Sequence, residues 1–219
     1  PDERSHLEGP FGECSGYFVG GVEERTVIEV EQVWHRDDPI LQGCPTMKGP
    51  ARTHALGAHL VTSARTWNAI EDDVPGIEGV YSLYQTCQTG SSIMVVAIDQ
   101  QYAGHAKQAG AAALAAQATA TMNRMVIVVD DDVDPADTDD VLFALTTRCD
   151  PAEDIDTVTG TPTFFLDARV PPEKRAVDDF TGSSMNVDAC EPYHWRDEFP
   201  EVVEVDSDYR EQLHEKWDI

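Results

Sequence analysis

Two carboxylates stand five residues apart in Glu8-Gly9-Pro10-Phe11-Gly12-Glu13, a run that leads into Cys14-Ser15-Gly16-Tyr17-Phe18. Pro10 fixes its own φ, while Gly9 and Gly12 allow conformations that other residues avoid, so the run predicts a specific turn. Carboxylates sharing a pocket push their pKa values apart, and the one that keeps its proton becomes a general acid. The alternative is a solvated acidic turn in a chain already loaded with acid. Spacing alone leaves both readings open.

Other groups with chemical potential resolve more readily. Asp130, Asp132 and Asp134 open like a calcium loop, but Pro135 occupies the glycine position and Val141 stands where a bidentate Glu belongs. An acidic turn closing a buried strand is the better account. His54 and His59 are five apart on a predicted helix, which places them on different sides rather than on one metal-binding face. The five cysteines are isolated and form no CxxC pair, against both a disulfide framework and a zinc site. Cys14 has no neighbouring base except the glutamates and is not read as a nucleophile. Arg148 precedes Cys149-Asp150-Pro151, and a salt bridge would be enough to explain it. No GxGxxG, P-loop or GxSxG run occurs.

The elements that must position these groups follow from periodicity. Residues 17–34 alternate apolar and acidic around Gly20-Gly21 and predict a β-hairpin, the closing strands of a barrel or sheet begun upstream. A punctuated loop (35–50) leads to a helix over 51–71, ended by Pro75-Gly76. Strands are predicted at 80–84 and 92–98, an alanine-rich helix at 103–122, a strand buried on both faces at 125–129, and a helix at 139–146. The order of strand and helix argues for an α/β layer. From Pro171-Pro172 the pattern predicts an irregular tail ending in a polar helix near 207–217.

At 219 residues the chain can bury one good core, or one domain and part of another. Its net charge of -26, with lysine only at Lys48, Lys107, Lys174 and Lys216, repels phosphates and anionic lipid, so nucleic acid and membrane surfaces are not expected partners. No segment approaches the ~20 apolar residues that span a bilayer, and no signal peptide is visible. An acidic, lysine-poor surface suits multimolar salt, and the expected location is a halophile's cytoplasm. The chain starts at Pro1 in mid-motif and reads as a piece of a longer protein.

The Glu8–Glu13 run with Gly16-Tyr17 resembles the signature of the UbiD family of reversible, prenylated-FMN-dependent decarboxylases. Further resemblance lies in Val126-Ile127-Val128-Val129-Asp130-Asp131-Asp132-Val133-Asp134, in Thr146-Thr147-Arg148-Cys149-Asp150-Pro151, and in Asp188-Ala189-Cys190-Glu191-Pro192-Tyr193-His194-Trp195. The last resembles the branch acting on phenolic acids. The resemblance implies an α/β fold, α+β overall: residues 1–50 end a split β-barrel cofactor domain, 51–75 form a linker helix, 76–170 a C-terminal α/β domain, and 171–219 the tail.

It also implies a reaction: decarboxylation of a small aromatic, hydroxylated carboxylic acid, with Glu13 delivering the replacement proton and Glu8 tuning and relaying it. Arg148 would lie near the cofactor. Thr53, Leu56, Thr161, Thr163 and Arg124 would line the substrate pocket, although Thr161 and Thr163 read equally as solvent-exposed residues of a turn. Manganese and potassium are expected, bound mostly by a preceding half that would also hold the catalytic arginine. Ala118 falls where many members carry a basic residue. A homo-oligomer through the C-terminal domain is expected, and the small-residue helix suits close packing. The competing reading is a non-catalytic subunit serving assembly; a flavin oxidoreductase is weaker, for want of a nicotinamide signature.

Overall fold

The computed structural model describes residues 4–13, 15–41, 43, 56–84, 93–116, 124–203, 205, 209, 212–213 and 216–217. Its centre is a five-stranded sheet in the order β3-β4-β5-β7-β6, built from β3 (Ile77–Tyr84), β4 (Ile93–Ile98), β5 (Met125–Asp130), β6 (Ile155–Pro162) and β7 (Thr181–Asp188). Strands β4, β5 and β7 are parallel, while β3 and β6 run antiparallel along the two edges.

Alternation along the central strands creates two cores, because successive side chains point to opposite faces. Met94, Val96, Ile98, Val126 and Val128 face one way and pack against α1 (Leu56–Ile70) and α2 (His105–Ala115). Val95, Ala97, Ile127 and Val129 face the other way, against Val141 and Ala144 of α3 (Thr138–Thr147). The acidic run after β5 starts α3: the Asp137 side chain accepts from the backbone N–H groups of Asp139 and Asp140, and both acids sit in the first turn, where the helix dipole favours them.

Helix α2 approaches the sheet through small residues. Ala106, Ala109, Gly110 and Ala113 are buried, and Gly110 lies against the amide of Asn186 on β7. Asn186 Nδ2 donates to the Lys107 carbonyl at 3.2 Å, tying strand to helix. His105 is fully buried at the start of α2, its Nδ1 accepting from the Gln101 N–H (3.2 Å) and its Nε2 bonding the Pro75 carbonyl (2.9 Å).

Four expectations change. The strand in the 17–34 region is only β2 (Glu23–Thr26), and it pairs antiparallel with β1 (Ser5–Glu8) rather than with its own flank. The reason is local: Gly16 N–H donates to the Glu13 carbonyl and Glu13 N–H to the Tyr17 carbonyl, so the chain has already reversed before Gly20-Gly21. Residues 27–36 form no strand. Helix α2 ends at Ala115, since Ala116 leaves helical geometry with ψ 131°. The tail from 171 is not irregular, because it contains a short α4 (Pro172–Arg175) and β7, an interior strand of the sheet. Strand β6 was also not expected: Gly160 and Pro162 punctuate it and its side chains are mostly exposed, so it carries no apolar alternation. Of the predicted terminal helix, the described residues Tyr209, Gln212, Leu213, Lys216 and Trp217 are helical.

Candidate functional site

The acidic turn is built by strand pairing on both sides. Glu8 ends β1 opposite Glu23, and its carboxylate lies 3.8 Å from Arg25 Nε, an exposed and therefore weak ion pair. Gly9, at φ 97°, passes so close to Gly21 that an added Cβ would strike the Gly21 carbonyl oxygen, and its bond to Pro10 is cis. Only glycine fits there. Glu13 is half-buried, its backbone fixed by the two turn hydrogen bonds. Ser15 Oγ beside it is buried and without a hydrogen-bond partner, which is costly unless a further group supplies one. The structure thus places Glu8 and Glu13 on one stiff turn with an orphaned hydroxyl.

Arg148 heads a separate, internal knot. Its side chain is 1% exposed and reaches Asp130 (3.2 Å), Asp132 (2.5 Å) and Glu191 (3.9 Å). The paired hydrogen bonds with Asp132 raise Arg148 above its ordinary value and hold Asp132 below the usual carboxylate range. Burial wins at Asp130, which is raised despite accepting from the Glu191 N–H (2.6 Å) and Gln100 Nε2 (3.2 Å). Burial also raises Asp188 and Glu191. The knot closes the carboxyl ends of β4, β5 and β7, and Arg196 donates to the Gln100 carbonyl to hold the segment Tyr193–Glu198 over them. A cavity of about 560 Å³ lies beneath, bordered by Gln100, Arg148, Asp188, Tyr193 and Trp195.

Arg124 and Thr163 meet in a third cluster, around Asp167. The Arg124 guanidinium pairs with Asp167 and donates to Thr163 Oγ1 (2.7 Å) and the Ser183 carbonyl (3.2 Å), and Thr163 Oγ1 donates to Asp167 Oδ2 (2.8 Å). Burial, then the charge of Arg169, pushes Arg124 down to about 10, so it remains a cation at neutral pH. Thr161 points elsewhere, its hydroxyl 3.2 Å from Ser184 Oγ. Leu56 is the first residue of α1, and Thr53, Ala118 and His54 lie outside the described residues. Asp167 was missed by sequence reasoning. Its signal was an acid beside Arg169, Lys174 and Arg175 in a chain with only 15 basic residues.

Residues 55–189 match the model of the 3-octaprenyl-4-hydroxybenzoate carboxy-lyase C-terminal domain, and residues 1–49 that of the Rift-related domain of the same UbiD family. Among solved structures, the chain is similar to HmfF, a UbiD-class enzyme from Pelotomaculum thermopropionicum in complex with FMN. There the identity is 26% and the TM-score 0.75, over 96% of this chain and 44% of that one. It is similar to the apo 3,4-dihydroxybenzoic acid decarboxylase AroY of Klebsiella pneumoniae at 28% identity and TM-score 0.63, over 79% and 36%. It also shares the fold of the Sedimentibacter hydroxybenzoicus vanillic acid decarboxylase (23% identity, TM-score 0.78, over 99% and 45%). The chain therefore spans less than half the length of each.

Proposed function

Because this chain belongs to the UbiD family of carboxy-lyases, we propose that it is the C-terminal part of a prenylated-FMN enzyme that reversibly decarboxylates a hydroxylated aromatic acid. The observation that carries this reading is the Glu8–Glu13 turn, where strand pairing, Gly9 and two backbone hydrogen bonds hold the half-buried Glu13. HmfF structures contain FMN and prenylated FMN, and the Klebsiella protein is named for a dihydroxylated benzoic acid, which supports the cofactor and substrate class.

The turn fits such a cofactor, since the orphaned Ser15 hydroxyl and the Glu13 carboxyl are partners for its polar edge. When bound, prenylated FMN supplies the electrophile that accepts the electrons released as carbon dioxide departs. Glu13 would give its proton to the ring carbon that bore the carboxylate, acting as general acid. Glu8 tunes and relays that proton through an arginine which the resemblance places upstream of this sequence. Arg148 stays assigned near the cofactor by resemblance; its Nη1 and Nη2 groups donate to Asp130 and Asp132, with Glu191 at 3.9 Å, so it also ties the fold together. Thr53, Leu56, Thr161, Thr163 and Arg124 stay assigned to the substrate pocket by resemblance, with Arg124 and Thr163 joined at Asp167. Manganese and potassium are assigned chiefly to the preceding half; among the described residues no group of three His, Cys, Asp or Glu could hold a metal.

We further propose a homo-oligomer through the C-terminal domain, supported by the dimeric form of HmfF, and a salt-rich cytoplasm. No helix among the described residues is long and apolar enough to cross a membrane. A second reading, a non-catalytic subunit serving dimerisation or assembly, is favoured by the exposed Phe18, Ile28, Val30, Val33 and Trp34, which suit an apolar partner. The deciding experiment compares the cofactor-loaded complete enzyme with its Glu13→Gln variant. Loss of both carbon dioxide release and solvent-deuterium exchange into 3,4-dihydroxybenzoate is expected. Wild-type exchange in the variant removes Glu13 from its role, and a bound-flavin spectrum on this chain alone counts against the non-catalytic reading.

A further inference from the structure

One peptide plane joins a buried histidine to the segment that covers the cavity. The Gln100–Gln101 peptide donates its N–H to His105 Nδ1 at 3.2 Å, and its carbonyl accepts from Arg196 Nη1 at 2.7 Å. The Gln101 carbonyl, one peptide further on, accepts from the Tyr193 hydroxyl at 3.1 Å. Tyr193 and Arg196 thereby anchor the segment Tyr193–Glu198, which gives Tyr193, His194 and Trp195 to the wall of the cavity of about 560 Å³. The flanks of the peptide are fixed. The Asp99 N–H donates to the Gly76 carbonyl at 2.9 Å, and the buried Gln100 side chain donates to Asp130 Oδ1 and the Glu191 carbonyl. What can turn is the plane itself. Because that unit is rigid, a rotation that withdraws its N–H from His105 also withdraws its carbonyl from Arg196.

His105 decides whether that N–H is accepted. The Gln101 N–H can only donate and the Pro75 carbonyl can only accept, so the ring is neutral with its proton on Nε2. A second proton, on Nδ1, would set donor against donor at the Gln101 N–H. The ring is fully buried, and that of Tyr102 stacks on it at 4.3 Å. Among the described residues, the ionisable groups facing it are Tyr102 and Asp99 of the loop. The segment before β3 meets it with the Pro75 carbonyl, and Arg196 lies across the peptide. Burial holds the ring below its ordinary value, against the Pro75 bond and the charge of Asp99, so the neutral form persists at pH 7 and the proton enters in acid.

We infer that the Gln100–Gln101 peptide is an acid-released latch: protonation of His105 turns it, and the segment Tyr193–Glu198 lifts from the cavity at the carboxyl ends of β4, β5 and β7. Release opens to solvent a cavity that Asp188 and Cys190 also line. The latch does not depend on the decarboxylase reading, since no residue of the Glu8–Glu13 turn takes part in it.

The test follows the complete enzyme by amide deuterium exchange, expressed as protection factors at Trp195 and Phe199, whose N–H groups donate to the carbonyls of Pro192 and Arg196. From about pH 7.5 to about pH 5, wild type is expected to lose about tenfold in protection at both amides. NMR of the histidine ring nitrogens should show His105 gaining its proton over the same interval. His105→Asn carries no titrating group there and should hold protection constant within about twofold. Asp130, Asp188 and Glu191, which burial holds above their usual range, also titrate in acid and remain in that variant. The same loss in His105→Asn therefore assigns release to them and overturns the latch. Arg196→Ala tests the coupling from the other side. By reciprocity the freed peptide should make His105 about threefold easier to protonate, measured in molar salt, which screens the lost charge. An unchanged His105 midpoint in Arg196→Ala, or wild-type protection equal at the two pH values, also overturns it.

Discussion

Replacing Gly110 by alanine sets two effects of opposite sign against each other. Ala is favoured over Gly in a helix interior by about 1 kcal/mol, and α2 would gain that amount. The new Cβ, however, would lie 2.5 Å from Asn186 Nδ2 and closer still to Cγ and Oδ1. Asn186 is 4% exposed on an interior strand, and turning its amide away from α2 would break its bond to the Lys107 carbonyl. Overpacking of this kind costs about 1–3 kcal/mol, and losing the Nδ2 bond to the Lys107 carbonyl removes about 1 kcal/mol more. The net expectation is destabilisation by about 1–3 kcal/mol. Urea unfolding should show a lower midpoint at unchanged slope. Adding Asn186→Ala should remove the clash, so the double mutant should be more stable than the sum of the single costs by about 1–3 kcal/mol. A Gly110→Ala protein as stable as wild type, or strictly additive singles, would refute the reasoning.

Two further predictions concern buried charge. Arg148→Met strips three carboxylates of their shared cation and should cost about 3–5 kcal/mol, whereas Asp132→Asn, at a half-exposed partner, should cost about 1 kcal/mol or less; thermal unfolding distinguishes them, and equal losses would contradict the knot. His105 is held below its ordinary pKa, chiefly by burial. Its folded value is lower than its unfolded one, so its contribution is complete above about pH 6.5 and fades as pH falls toward the folded value. Subtracting the stability curve of His105→Asn from that of wild type should show this loss on acidification, because the oppositely directed contributions of Asp130, Asp188 and Glu191 cancel in the difference. A flat difference would count against the buried neutral imidazole.

Where side chains alternate strictly, the sequence showed the fold: β4 and β5 were legible because both faces bury Val, Ile and Met. The acidic turn before α3 was legible too, since caps have fixed residue types. Strand β7 was hidden by its polarity. Ser184 and Asn186 occupy an interior strand because α2 opposes Asn186 with a glycine, and a pattern search cannot see a helix 70 residues away. Strand β6 was hidden for the opposite reason, an exposed edge needing no apolar rhythm. At the site, the Glu8–Glu13 turn was plain from Gly and Pro. Arg148 was plain as a charge, but which acids would surround it depends on the ends of three strands and a segment 40 residues on. Asp167 matters through Arg124, which approaches it only after β5 and β7 have paired.

The place of β7 also orders events in time. A ribosome making this chain releases β3, β4 and β5 well before residues 181–188, yet β5 has only β4 beside it until β7 arrives. For that interval one edge of a Val-rich parallel strand is uncovered, the kind of surface on which nascent chains aggregate or recruit chaperones. Edge strand β6 emerges earlier but has nothing to pair with, so it waits for the strand that follows it. Synthesis of β7 is therefore the step that closes the sheet, and pauses before residue 181 should lower soluble yield far more than pauses after residue 190.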